Sequence, residues 1–327
     1  MDQPPEDNLP ESTPKPHQPR VLPVLAFDPL LIDANGVRPI WRLLIYFALY
    51  YVIRLVLLSI AIATLPNRTD STSLLWLQLL EEFLLLVAAL MPALFLAKLE
   101  GRRFGTYGLP LRGAFGKQFC MGALWGLLAI TLLLLLMRGI GVFHFGHLVL
   151  HGARVLKFAV FWGAVFLVVG LYEDFLFRGY SLFTLAEAIG FWPAAILLSF
   201  AFGFIHLRNN GESWVGALAA ACIGLFFCLT LRRTGTLWFA IGMHAAWDWG
   251  ESFLYSVPDS GQVAPGHLLR SSFHGAPWLT GGSVGPEGSV LVFVVIAVLW
   301  IIFERFYPAP KRARDTPPAD PPATYHE

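Results

Sequence analysis

Eight long apolar runs, separated by short polar segments, constrain this chain more than any other feature. They lie near Trp41–Leu65, Leu74–Ala97, Phe119–Met137, Leu156–Tyr172, Phe191–Leu207, Val215–Leu231, Leu237–Leu254 and Val290–Phe306. A transmembrane helix needs about 20 mostly apolar residues, so eight of them use about 160. The chain has 327 residues, 56% of them apolar and only 14% charged, with a mean hydropathy of +0.61. Soluble domains carry about 25% charged residues. A soluble fold of this size cannot hide so much hydrocarbon. The expectation is therefore an all-α, polytopic integral membrane protein with about eight transmembrane helices, the fourth run continuing helically through Arg178 to Leu185.

The remaining segments divide the chain. Residues 1–40 are polar and proline-rich, the composition of a disordered tail, and hold no short apolar region behind a basic start, so no cleavable signal peptide is expected. Residues 41–154 carry the first three spans, 155–255 the polar motifs described below, 256–307 an extramembrane loop and the last span, and 308–327 a second polar tail. A net charge of +1 gives no basic field for nucleic acid. Cys120, Cys222 and Cys228 lie in or beside apolar runs without a C-x-x-C pair, so neither a disulfide framework nor a thiolate metal site is expected. The basic residues speak to orientation instead. Lys98, Arg102, Arg103, Arg112 and Lys117 sit between runs two and three, Arg232 and Arg233 between runs six and seven, and Arg305, Lys311, Arg312 and Arg314 after the last run. The first and seventh loops hold only Arg68 and Arg270. An even number of spans in the plasma membrane with both termini cytoplasmic fits, although Arg138, Arg154 and Lys157 in the third loop run against it.

Ionisable side chains at mid-membrane depth cost about 2.5–3.5 kcal/mol each on insertion scales, which makes them functional candidates. Four stretches qualify: Glu81-Glu82 in run two, Glu173-Asp174 with Arg178 after run four, Phe202 to His206 ending run five, and His244 to Asp248 in run seven. Residues four apart share a helix face. Asp174 can therefore pair with Arg178, which leaves Glu173, about 100° around the helix, free for another task. Phe202 can brace the His206 imidazole, and His244 and Asp248 share a face. A poorly solvated carboxylate is suited to act as a general base towards water, a neighbouring histidine can orient that water, and further donors can hold an oxyanion. Two histidines and a glutamate also form a zinc ligand set, so residue types alone leave direct and metal-assisted hydrolysis open.

The motifs Glu173-Asp174-x-x-x-Arg178, Phe202-x-x-x-His206 and His244-x-x-x-Asp248 occur in this order on successive apolar runs. In this they resemble the CAAX prenyl-protease type II and bacteriocin-processing (CPBP) family of intramembrane endopeptidases. The resemblance covers about residues 155–255. It implies hydrolysis of a peptide bond in a membrane-associated protein or peptide, with Glu173 and His206 activating water, His244 and Asp248 stabilising the oxyanion, and Asp174, Arg178 and Phe202 in support. Two positions depart from the family pattern. Asp174 stands where a second glutamate is usual, and Asp248 replaces an asparagine, which puts a repulsive carboxylate beside the oxyanion. The expectation is a site without a metal, because a zinc held by Glu173, His206 and His244 would leave the site without its general base.

Other readings use the same residues. In a proton- or ion-coupled transporter, Glu173, His206, His244 and Glu81 would form a relay, but transporters tend to carry inverted repeats in both halves, and the motifs here keep to one half. In a non-catalytic scaffold or immunity factor, they would only hold helices together. Glu81 and Glu82 read most simply as the outer end of run two, and His144, His147 and His151 as interfacial. One geometric difficulty follows from simple alternation of spans. Glu173 falls at the inner end of span four and His206 at the outer end of span five, about 22 Å apart at 1.5 Å per residue, so their meeting needs a kinked, tilted or shortened span or different boundaries.

Overall fold

The computed structural model describes residues 32–33, 36–65, 71–209 and 211–309. Most of the N-terminal tail and the C-terminal tail from residue 310 lie outside the described residues, and so does their expected disorder. Ahead of the helical body, β1 (Ile32–Asp33) pairs antiparallel with β2 (Gly36–Val37). The body, from Pro39 onward, is helical: α1 Pro39–Thr64, α2 Ser71–Leu99, α3 Lys117–Gly139, α4 Ala153–Arg178, α5 Tyr180–Ile189, α6 Phe191–His206, α7 Trp214–Thr234, α8 Trp238–Trp249, the short α9 Pro277–Thr280, and α10 Leu291–Phe306. A π-type turn, Gly250–Leu254, extends α8. Between α3 and α4, β3 (Phe143–His144) pairs antiparallel with β4 (Ser272–Phe273), tying the third loop to the seventh.

Each apolar run is helical, and among the described residues five segments are long and apolar enough to cross a membrane: α1, Leu75–Leu99 of α2, α3, α4 with α5, and α7. The protein is thus an all-α integral membrane protein. Helices α6, α8 and α10 are shorter, at 16, 12 and 16 residues. Apolar side chains such as Leu55 and Ile62 of α1 and Phe204 of α6 are exposed, as a lipid-facing surface requires. The fourth run does continue helically, but with a break. Helix α4 ends at Arg178, Gly179 donates its N–H to Phe175 O, and α5 begins at Tyr180.

The tightest helix crossing is made by glycines. A Cβ on Gly122 would fall 2.0 Å from the Phe239 carbonyl oxygen, one on Gly126 2.1 Å from that of Met243, and one on Gly242 2.2 Å from that of Phe119. Helices α3 and α8 therefore meet backbone to backbone, the small-residue contact by which membrane helices associate without a hydrophobic drive. Behind this contact Phe226, Phe239 and Phe303 close one core, in which α7 and α10 pack on α3 and α8. A second core joins α1, α2 and α4 to α6 around Tyr46, Tyr107, Phe175 and Tyr180. At one edge of it Arg42 pairs with Glu100 at 2.9 Å and with Glu187, and Arg102 also pairs with Glu187, joining α1, α2 and α5. The α3–α8 contact should be the most sensitive to added volume. Gly126→Ala is expected to destabilise the protein by about 1–3 kcal/mol in detergent unfolding. Gly139→Ala, where a Cβ meets nothing within 4 Å, is expected to be neutral.

Candidate active site

Helix α4 brings Asp174 and Arg178 to one face one turn apart, as the spacing predicts. Arg178 Nη1 donates to Asp174 Oδ1 at 2.7 Å, and both side chains are buried, at 1% and 0% exposure. The guanidinium lies over the Phe202 ring of α6 at 4.3 Å and near the Phe227 ring of α7 at 5.3 Å. Such stacking adds about 2 kcal/mol or more where water is excluded. Gly224 of α7 makes the room, since a Cβ there would meet Arg178 Nη2 at 2.6 Å. One buried cation thus joins three helices.

With Asp174 so engaged, Glu173 points elsewhere. It lines a cavity of about 390 Å³ together with His206, His244 and Asp248, and its side chain remains 23% exposed. The four residues named from the sequence are thereby brought to one chamber. The alternation argument that separated Glu173 from His206 fails because the fourth run continues helically past Tyr172, as expected: α4 runs on to Arg178, so Glu173 sits inside the helix, and α5 is interposed before α6 begins.

His206 is held by its own helix. Its Nδ1 lies 2.7 Å from the Phe202 carbonyl oxygen, and its ring packs edge-on against Phe202 with centroids 4.5 Å apart. A carbonyl can only accept, so Nδ1 carries the proton and Nε2 of the neutral ring is left as the acceptor. His244 is set among three carboxylates: its Nε2 is 3.7 Å from Glu173 Oε2 and 3.6 Å from Asp248 Oδ2, and its Nδ1 is 3.5 Å from Asp174 Oδ2. Phe227 covers its ring at 5.7 Å. Phe227 thus touches both Arg178 and His244 and couples the buried pair to the chamber.

The cavity includes groups that the motif reading passed over. Glu82 of α2 lines it while Glu81 is exposed, so the Glu81-Glu82 pair is split between chamber and surface. Gln78, one turn earlier, joins it, as do Asn209 and Glu212 from the loop after His206. Asp259 and Glu287 come from the long segment between α8 and α10, and no local pattern marks them. Glu287 accepts from the Ser260 N–H at 2.7 Å and from its hydroxyl at 3.1 Å. Burial, and then the nearby Asp259 charge, push Glu287 up to about 8. Burial and Asp248 raise Asp259 well above the usual aspartate range. His144 falls in β3, 5.4 Å from the His274 ring, and His147 accepts from the Arg270 N–H through its carbonyl. Both stand away from the chamber lining. All three thiols are free.

Because the Asp174–Arg178 pair is buried and shared among three helices, its loss should be structural. Arg178→Ala leaves Asp174 uncompensated and is expected to cost about 3–5 kcal/mol, read as a lower melting temperature in detergent. An unchanged melting temperature with lost activity would instead assign Arg178 to substrate binding.

No curated protein and no solved structure matches the chain. A family model does match, over residues 155–250, and its description is type II CAAX prenyl endopeptidase Rce1-like. The matched segment runs from the start of α4 to the end of α8 and contains Glu173, Asp174, Arg178, Phe202, His206, His244 and Asp248. Residues 155–250 of this integral membrane protein are thus similar to the Rce1-like type II CAAX prenyl endopeptidases.

Proposed function

We propose that the chain hydrolyses a peptide bond of a membrane-associated protein or peptide by attack of a water molecule activated by Glu173 and His206. The observation that carries this reading is the convergence of Glu173, His206 and His244 on one cavity, with Glu173 left out of the Asp174–Arg178 pair. Glu173 takes a proton from the water as general base, and the unprotonated Nε2 of His206 accepts a hydrogen bond from the same water and orients it. His244 donates to the developing oxyanion, a contribution of about 2.7–4 kcal/mol for a donor in a dry site. Asp174 and Asp248 flank His244 and favour its donor form, which makes Asp248 an orienting residue rather than an oxyanion ligand. Glu173 then returns its proton to the leaving amine, which completes the hydrolysis.

The reading is metal-free at these three residues. Among the described residues, the acidic ligand atoms that lie within 4.8 Å of one another belong to a different set, Asp248, Glu251 and Asp259, which has no histidine. Zinc prefers nitrogen and sulfur donors with an open fourth position. The distribution of Lys and Arg in the loops supports a plasma-membrane orientation with both termini cytoplasmic.

Purified full-length protein in detergent, presented with a peptide library, tests the assignment. Glu173→Gln keeps the shape of the side chain and removes its basicity, so cleavage is expected to fall by about 10²–10⁴-fold. Near-wild-type turnover in that variant would overturn it. Metal analysis of active protein is expected to find far less than one zinc per chain, and a zinc-selective chelator to leave cleavage intact. Stoichiometric zinc, with activity lost on its removal and restored on its return, would instead make Glu173, His206 and His244 its ligands.

A further inference from the structure

At the end of α8 the chain gathers carboxylates that the proposed water chemistry does not use. Asp248 lies in the last turn of α8, Glu251 on the π-type turn that follows, and Asp259 in the loop beyond. One oxygen from each lies within 4.8 Å of the others. Asp259 also accepts from the Ser252 hydroxyl at 3.1 Å. Glu251 is different from its neighbours. It is 0% exposed, and although the Trp247 indole sits beside it, neither of its oxygens accepts a hydrogen bond of normal geometry. A buried carboxylate without donors is among the costliest groups a protein can hold. The nearby basic group is the imidazole of His244, which Asp174, Glu173 and Asp248 already share. Among the described residues no lysine or arginine lines the chamber.

We propose that Asp248, Glu251 and Asp259 bind one hard divalent cation of the calcium class. The donors are all carboxylate oxygens, the set that selects calcium, magnesium or manganese over zinc or copper. Oxygens within 4.8 Å of one another need draw together only by a few tenths of an ångström to share one ion at about 2.4 Å from each. They come from a helix end, a π turn and a loop, a mixed frame that tolerates calcium's irregular coordination better than the strict octahedron of magnesium. The chamber at Asp248 and Asp259 supplies room for water to complete the shell. Glu251 and Asp259 lie beyond the matched residues 155–250, so the family match covers only Asp248 of this site. Binding of the ion is independent of the proteolytic reading. Only its consequence rests on that reading: a cation at Asp248 offsets the negative charge that stands where the family pattern has asparagine.

The test uses full-length protein in detergent, stripped with EDTA, with terbium as the calcium probe and Trp247 as the built-in antenna. Excitation of tryptophan is expected to give saturable terbium emission at one ion per chain, displaced by calcium, and calcium alone is expected to raise the unfolding temperature. Glu251→Gln and Asp259→Asn each keep the side-chain shape and remove one charge, so each should weaken terbium and calcium binding at least about tenfold. Glu81→Gln, on the exposed side of α2, should bind as wild type. Wild-type protein without saturable emission or a calcium-dependent melting shift would overturn the site. Wild-type affinity in both charge-removed variants, with helical content unchanged, would overturn it equally. Because the readouts are emission and melting, a protein that binds terbium but cleaves nothing refutes the protease reading and leaves the cation site standing.

Discussion

The buried pair of Asp174 and Arg178 is the interaction on which the chamber depends. A guanidinium at 1% exposure survives only because a carboxylate one turn away accepts its proton donors and two aromatic faces cover it. Those faces belong to α6 and α7, so a contact that is local in sequence on α4 sets the spacing of three helices. It also decides the fate of Glu173. With Asp174 consumed on the buried side, the adjacent carboxylate is rotated towards the cavity, and Phe227 carries the arrangement across to His244.

The short helices matter as much as the long ones. Helix α8 has 12 residues and would rise only about 18 Å, so the chain leaves helical geometry at the π turn while still flanking the chamber. Irregular backbone is tolerated at such depth where it lines a cavity rather than lipid. That departure lets Glu251 and Asp259 join Asp248, and lets the segment before α10 deliver Glu287. The glycine contact of α3 with α8 holds this end of the molecule in place, since side chains of any size between the two helices would push α8 and its histidine away from α4.

A great deal of this was legible along the chain, and for a physical reason: hydrocarbon burial and helical periodicity are local properties. The runs beginning at Trp41, Phe119 and Val215 announce their helices because bilayer thickness sets a length that composition alone reveals. The pairing of Asp174 with Arg178 and the bracing of His206 by Phe202 are one-turn relationships, fixed once the helix is assumed. The boundaries were less legible: the continuation of the fourth run to Leu185 could be read from the sequence, but not its break at Gly179, where α4 ends and α5 begins.

What the sequence by itself determined is the class of the protein, its helices and the residue pairs within each helix, because each follows from contacts between neighbours in the chain. What only the tertiary structure decided is which helices face one another. Glu82 and Glu81 are adjacent and alike in sequence, yet one lines the chamber and the other is exposed, since α2 turns a single stripe inward. Asp259 and Glu287 carry no local signal and acquire meaning only beside Asp248. A site is built from contacts between residues far apart in the chain, and the free energy that brings them together belongs to helix packing, which no single segment contains.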